Sequence, residues 1–329
     1  MRDSKIDFYK GMLILCVVYG HMNNVLLCGV SHAPIWLHTF VRTFDIAFFM
    51  ILSGWFLRRS LTKNGAWYIL INRVSMLLVP IAIWTLILLR VDFVSRYYFL
   101  WAVFASSVIC IIGNVIKSKL GHILEATFYV GVVASLYFVK IPWNLFYLLP
   151  FFIFGYYLKD VRFELTSKSY LVTAVVFVVL LCFWGPAYTP WKINALAWQT
   201  DSLAFVIYFY RFVLAVLGVY VMSKVFDYVS NFIEMRCPAL WANVCGWGKE
   251  TLGLYILQAI VLEGILCKIV VWVYKDYKIS ISDSAVNLVG YVLSPLLSLV
   301  FIFIIYCILC KIKAIKLTRC VFGCKVCCK

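Results

Sequence analysis

Lys10 and His21 bracket the stretch KGMLILCVVYGH, in which the ten intervening residues are almost all apolar. In a helix, eleven residues at about 100° each return to within roughly 20° of the starting direction, so the two side chains share one face, about 16 Å apart along the axis. Placed in a bilayer, the lysine sits at the cytoplasmic surface and the histidine beyond the middle of the membrane. Ionisable groups at such depth point to function, although a lone intramembrane histidine also serves as a hydrogen-bonded packing residue. A neutral imidazole in apolar surroundings can take a proton from a hydroxyl, because desolvation opposes its charging and a partner tunes it. An acidic orienter for His21 could come from Asp45, Glu125 or Glu263. Asp45 ranks first because it directly precedes the stretch AFFMILSGWF, and Arg42, three residues earlier on the same face, can pair with it. His32, His38 and His122 fall in loops or at helix ends, and no histidine follows position 122, so a histidine mechanism draws on the N-terminal half. Arg211, within YFYRFVLAVLG, is the costliest charge in the chain and is expected to face a cavity, as a phosphate contact, an acceptor contact or a structural ion pair.

The elements that must position these residues are membrane spans. Across 329 residues the chain is 65% hydrophobic and only 13% charged, with a mean hydropathy of +0.97, which excludes a soluble domain. At roughly 20 apolar residues per span, the expected fold is an all-α polytopic membrane protein. About ten transmembrane helices lie near 11–28, 40–57, 67–89, 97–115, 124–139, 143–158, 169–184, 203–222, 251–274 and 286–310. Residues 1–329 read as one integral-membrane domain, without a soluble appendage and without a cleavable signal peptide. The net charge of +16 does not imply nucleic acid. Most of the 30 Lys and Arg collect on alternate connections, at Lys5 and Lys10, at Arg58, Arg59, Lys63 and Arg73, at Lys117 and Lys119, at Lys159, Arg162 and Lys168, at Lys224, Arg236 and Lys249, and in the tail from Lys311. This positive-inside bias puts both the N-terminus and the C-terminus in the cytoplasm.

The 13 cysteines mostly stand singly in spans or on the cytoplasmic side, where disulfides are rare. The basic, Cys-rich tail at 311–329 ends in CVFGCKVCCK, which lacks the paired spacing and histidines of a zinc site. No metal is expected there; reversible acylation or inert thiols suit it better. The outer segment 184–202 holds Trp184, Trp191 and Trp198 among Gly, Pro and Asn. Such aromatics form an interfacial belt or, on the sharper reading, stack on sugar rings.

Several stretches together resemble the integral-membrane acyltransferase family 3. Residues 1–21, MRDSKIDFYKGMLILCVVYGH, resemble its first helix, an Ile-Asp pair followed by Arg or Lys, ten residues and His, here Ile6, Asp7, Lys10 and His21. AFFMILSGWF at 47–56 resembles its FF-x-x-SG stretch through Phe48, Phe49, Ser53 and Gly54. YLLPFFIFGYYL at 147–158 is similar to its mid-chain helix, and GWGKETLGLYILQ at 246–258 matches a family helix start at Gly248, Lys249, Thr251, Leu252 and Tyr255. Two positions depart from the pattern. RVSMLLVP keeps Arg73 and Pro80 but has Met76 where a second arginine belongs, and Gln258 stands where histidine is commoner.

The resemblance implies transfer of an acyl group, most often acetyl from acetyl-CoA, to a hydroxyl of a cell-surface polysaccharide or lipid-linked glycan precursor. It implies a multi-pass protein of the inner or plasma membrane, of the kind found in bacterial cell envelopes. In that scheme His21 is general base, Lys10 meets the donor at the cytoplasmic end, and Asp45 orients the imidazole. Arg73, Lys63 and Arg211 bind the acyl-CoA donor, with Arg58 and Arg59 nearby, and Trp184, Trp191 and Trp198 receive the acceptor sugar. No prosthetic cofactor is expected. A transporter or flippase of polar or lipid-linked sugars, or a non-catalytic assembly subunit, also suits the composition, though no pair of inverted repeats is detectable.

Overall fold

The computed structural model describes residues 4–28, 35–88, 97–138, 145–158, 167–184, 202–276, 282–314 and 322. No strand occurs among the described residues, and each of the ten apolar stretches read from the sequence coincides with helix. Along the chain these are α1 (Ser4–Leu26), α2 (Trp36–Leu61), α3 (Ala66–Arg73), α4 (Val79–Leu88), α5 (Tyr98–Leu120), α6 (His122–Phe138), α7 (Leu145–Tyr157), α8 (Ser167–Cys182) and α9 (Ser202–Arg236). There follow α10 (Pro238–Lys249), α11 (Thr251–Gln258), α12 (Cys267–Asp276), α13 (Asp283–Leu288) and α14 (Ser294–Ala314).

Among the described residues, six helical runs are long and apolar enough to cross a membrane: Trp36–Leu61, Ala66–Ile87, Tyr98–Leu120, Val206–Arg236, Thr251–Asp276 and Asp283–Lys313. The expected ten are not all of this kind. Three of the others are shorter apolar helices, His122–Leu136, Leu145–Tyr157 and Lys168–Cys182. The 13 residues of α7 reach about 20 Å at 1.5 Å per residue, short of a hydrocarbon core of about 30 Å. The fourth is α1, which carries Lys5, Asp7 and Lys10 in its first two turns. Lipid-like exposure is plain on α8, where Leu171, Val172, Val175 and Val179 all lie open, as expected of a helix whose solvent is hydrocarbon.

Among the described residues, three π-helical segments interrupt the longer runs. Val74–Leu78 joins α3 to α4, Ala259–Leu266 joins α11 to α12, and Val289–Leu293 joins α13 to α14. Two of them have a cause in the sequence. Pro80 and Pro295 each follow such a segment by two residues, and a proline cannot donate to the carbonyl four residues back, which the wider turn accommodates. Ala259–Leu266 has no proline within or just after it. A third proline, Pro150, lies inside α7, where it frees the carbonyl of Phe146; the Tyr208 hydroxyl donates to that oxygen at 2.8 Å.

The described chain divides into two compact units, one comprising residues up to Asp45 with Tyr220–Phe322, the other Ile46–Val219. In the first, α1 is the hub, packing on α10, α11, α12, α14 and the Ala259–Leu266 segment. This is why a helix with three early charges carries buried Phe8, Tyr9, Leu13, Ile14, Val17 and Val18: its neighbours are protein on most sides. The contact with α10 is so close that a Cβ at Gly248 would run into the Asp7 carbonyl oxygen and one at Gly11 into that of Val244. In the second unit, α5 packs on α6 and α7. The glycines of two quoted stretches meet there, since a Cβ at Gly54 would strike the Phe152 carbonyl and one at Gly155 that of Ile51.

Candidate active site

α1 is unbroken from Ser4 to Leu26, so the register of Lys10 and His21 on one face holds. His21 Nδ1 lies 2.7 Å from Glu263 Oε1, with the side chains 17% and 24% exposed. An ionised carboxylate at that distance fixes the proton on Nδ1 and leaves Nε2 with its lone pair, the orientation in which an imidazole accepts a proton. Partial exposure of both groups lets a polar reactant reach them. Glu263 lies in the π-helical segment Ala259–Leu266, a geometry that recurs at functional sites.

Asp45 therefore occupies a different position from the one expected of the histidine's acid partner. Its Oδ2 lies 3.4 Å from Arg42 Nη1, one helical turn away, and a carboxylate with a base on its own helix is satisfied locally. The pair still borders the site. Arg42 lies along α1 at Gly20, where a Cβ would come within 3.0 Å of the guanidinium, so the residue preceding His21 has to be small. On the other side, the Tyr19 hydroxyl donates to the Gly290 carbonyl at 3.1 Å, inside the Val289–Leu293 segment, and His38 packs edge-on against the Tyr19 ring with centroids 6.3 Å apart.

Lys10 Nζ is 3.0 Å from Asp7 Oδ1, with Asp7 nearly inaccessible. The Ile-Asp pair and the lysine thus form one unit at the start of α1, and the need for a cation at position 10 has a structural component. The GWGKETLGLYILQ stretch has a local explanation too. Gly248 lets α10 touch α1, the Thr251 hydroxyl donates to the Gly248 carbonyl at 2.7 Å, and Glu250 ion-pairs with Lys313. Gln258 ends α11 only 1% exposed, and neither amide atom has a hydrogen-bond partner. An i→i+5 turn brings Glu263 nearer to the face of Gln258 than an α-helix would. Asn23 Oδ1 on α1 is buried without a hydrogen-bond partner as well.

The second unit holds the remaining expected residues. Arg211 is 1% exposed, its guanidinium 3.6 Å from the centre of the Trp184 ring, a stacking geometry that suits arginine. The Tyr210 hydroxyl donates to the Leu180 carbonyl at 2.6 Å, tying α9 to the end of α8 from which Trp184 follows. A residue expected to hold the donor and one expected to hold the acceptor are thus in contact. Arg73 is half-buried at the end of α3, next to the Val74–Leu78 segment, and Lys63 is exposed in the turn after α2. Trp191, Trp198 and His32 lie outside the described residues. His122 Nδ1 is 3.6 Å from buried Glu125 on its own helix.

The chain is similar to Nodulation protein NolL of Sinorhizobium fredii (strain NBRC 101917 / NGR234), 26% identical over 294 residues that cover 80% of this chain and 78% of that protein. To Nodulation protein NolL of Mesorhizobium japonicum (strain LMG 29417 / CECT 9101 / MAFF 303099) it is 28% identical over 136 residues, 33% of this chain and 35% of that one. No family model matches the chain, so the resemblance to the integral-membrane acyltransferase family 3 stands on the quoted motifs. No solved structure matches it.

Proposed function

We propose that the chain is a membrane O-acyltransferase that moves an acyl group, acetyl from acetyl-CoA, to a hydroxyl of a cell-surface polysaccharide or lipid-linked glycan. The observation that carries this reading is the His21–Glu263 pair. The acceptor hydroxyl gives its proton to His21 Nε2 as its oxygen attacks the thioester carbonyl, Glu263 stabilises the imidazolium at Nδ1, and the proton then passes to the departing thiolate. The similarity to the two nodulation proteins and the ordered motifs along the chain support the same class of chemistry.

In this scheme Lys10, held by Asp7, presents a cation to the donor at the start of α1. Arg73, Lys63 and Arg211 contact donor phosphates, and Trp184, Trp191 and Trp198 stack on the acceptor sugar. Glu263 takes the orienting role that the sequence favoured for Asp45, while Asp45 holds Arg42 against Gly20. The test is purified protein incubated with labelled acetyl-CoA and a glycan acceptor. Time-dependent transfer or donor hydrolysis that disappears in His21→Ala supports the enzyme. Intact donor binding with no turnover in the unaltered protein would favour a transporter and overturn the reading.

A further inference from the structure

In the second unit, the ends of α2, α5 and α7 enclose a cavity of about 230 Å³ lined by Arg58, Leu61, Thr62, Asn114, Lys117, Tyr156 and Tyr157. Whole-ligand pockets run from about 300 to 1,000 Å³, so this one is the size of a chemical group rather than of a molecule. Its polar lining is donor-rich. Arg58 Nη1 donates to the Tyr157 carbonyl at 2.9 Å and to that of Leu158 at 3.4 Å, which anchors the guanidinium at the rim. The Tyr156 hydroxyl donates to Asn114 Oδ1 at 3.0 Å, leaving the amide NH₂ of Asn114 to donate into the cavity. Lys117 Nζ stands 5.8 Å from the centre of the Tyr157 ring. The Thr62 hydroxyl is engaged with the Arg59 carbonyl at 2.9 Å.

Neither Arg58 nor Lys117 has a carboxylate within ion-pair distance among the described residues. Glu125, which acts electrostatically on Tyr156 and Tyr157, is within that distance of His122 and of neither cation. Two cations without counter-charges and an amide donor around a group-sized cavity ask for an anion with three or more acceptor oxygens. We propose that this cavity is a phosphate subsite. Assigning the phosphate to the acyl donor rests on the acyltransferase reading; the headgroup of an anionic lipid offers the same chemistry.

Native mass spectrometry of the full chain released from detergent can count bound coenzyme A, inorganic phosphate and phosphatidic acid. The unaltered protein is expected to retain coenzyme A, and Lys117→Gln to weaken that retention about tenfold, the effect of losing one charge-assisted contact. Lys119→Gln, on the same helix but outside the cavity lining, is expected to change nothing. Retention of phosphatidic acid that depends on Lys117 while that of coenzyme A does not keeps the subsite and makes its source a lipid. Equal losses in Lys117→Gln and Lys119→Gln, or binding of all three probes unaffected by Lys117→Gln, would overturn the proposal. Because binding is read without turnover, an inactive enzyme with an intact Lys117 dependence would count against the proposed function alone.

Discussion

A buried or membrane-embedded charge needs a partner, and where that partner sits decides what can be read from a sequence. Asp45 has Arg42 three residues before it, and Asp7 has Lys10 three residues after, so both pairs were legible as helical neighbours. Glu263 has Ala259, Ile260, Leu266 and Cys267 at the corresponding positions; with no base one turn away, it reaches across to His21. Arg211 likewise has Ile207, Tyr208, Leu214 and Ala215 around it, and its neighbour is Trp184. Sequence order favoured Asp45 because it weighed proximity to a motif, whereas absence of a local base was the better signal. His21→Ala should lower acyl transfer by about 10²- to 10⁴-fold with the protein still folded, and Glu263→Gln by about 10- to 100-fold. In both, the loss should appear in kcat more than in KM for acetyl-CoA. Lys10→Ala should lower the melting temperature in detergent, by the equivalent of about 3 kcal/mol for a broken buried pair. Asp7→Asn combined with Lys10→Gln should recover most of it. No recovery in the double variant would mean that Lys10 supports the fold by some route other than Asp7.

Among elements, the apolar runs were legible because hydrophobicity alone marks them, and the π turns before Pro80 and Pro295 follow from a missing N–H. The helix α10 was not read as an element of its own. Its 12 residues are too few to span and combine two glycines with two tryptophans, a composition that makes sense only once α1 is seen lying against it. Gly248→Ala is the sharpest test of that contact. The added methyl meets a backbone oxygen that cannot move without shifting α1, so destabilisation should reach about 2 kcal/mol or more, read as a lower melting temperature. A variant as stable as the original would show that α1 and α10 can separate at little cost. The third π segment, Ala259–Leu266, had no signature in the sequence, because nothing in its residues forbids an ordinary helix.

At the scale of the whole molecule, the alternating basic clusters bear on orientation. Arg58 and Arg59 close α2, with Lys63 in the turn after it, while Lys117 and Lys119 close α5, as expected if both ends face one side. Reporter fusions should place residue 64 in the cytoplasm and residues 28–40 outside it; the reverse would overturn the orientation. The widened turn that carries Glu263 has a consequence for how the chain tolerates change in length. Losing one residue between Ala259 and Gln258 on one side and Glu263 on the other would let the run relax to an ordinary α-helix, with every backbone hydrogen bond intact. Five residues at about 82° in the wide turn and four at about 100° in an α-helix sweep nearly the same angle, so the carboxylate would keep its direction toward the imidazole. A single-codon deletion there should therefore yield a well-inserted protein that keeps its chemistry, and loss of acyl transfer in it would show that the wide turn itself sets the reach of Glu263.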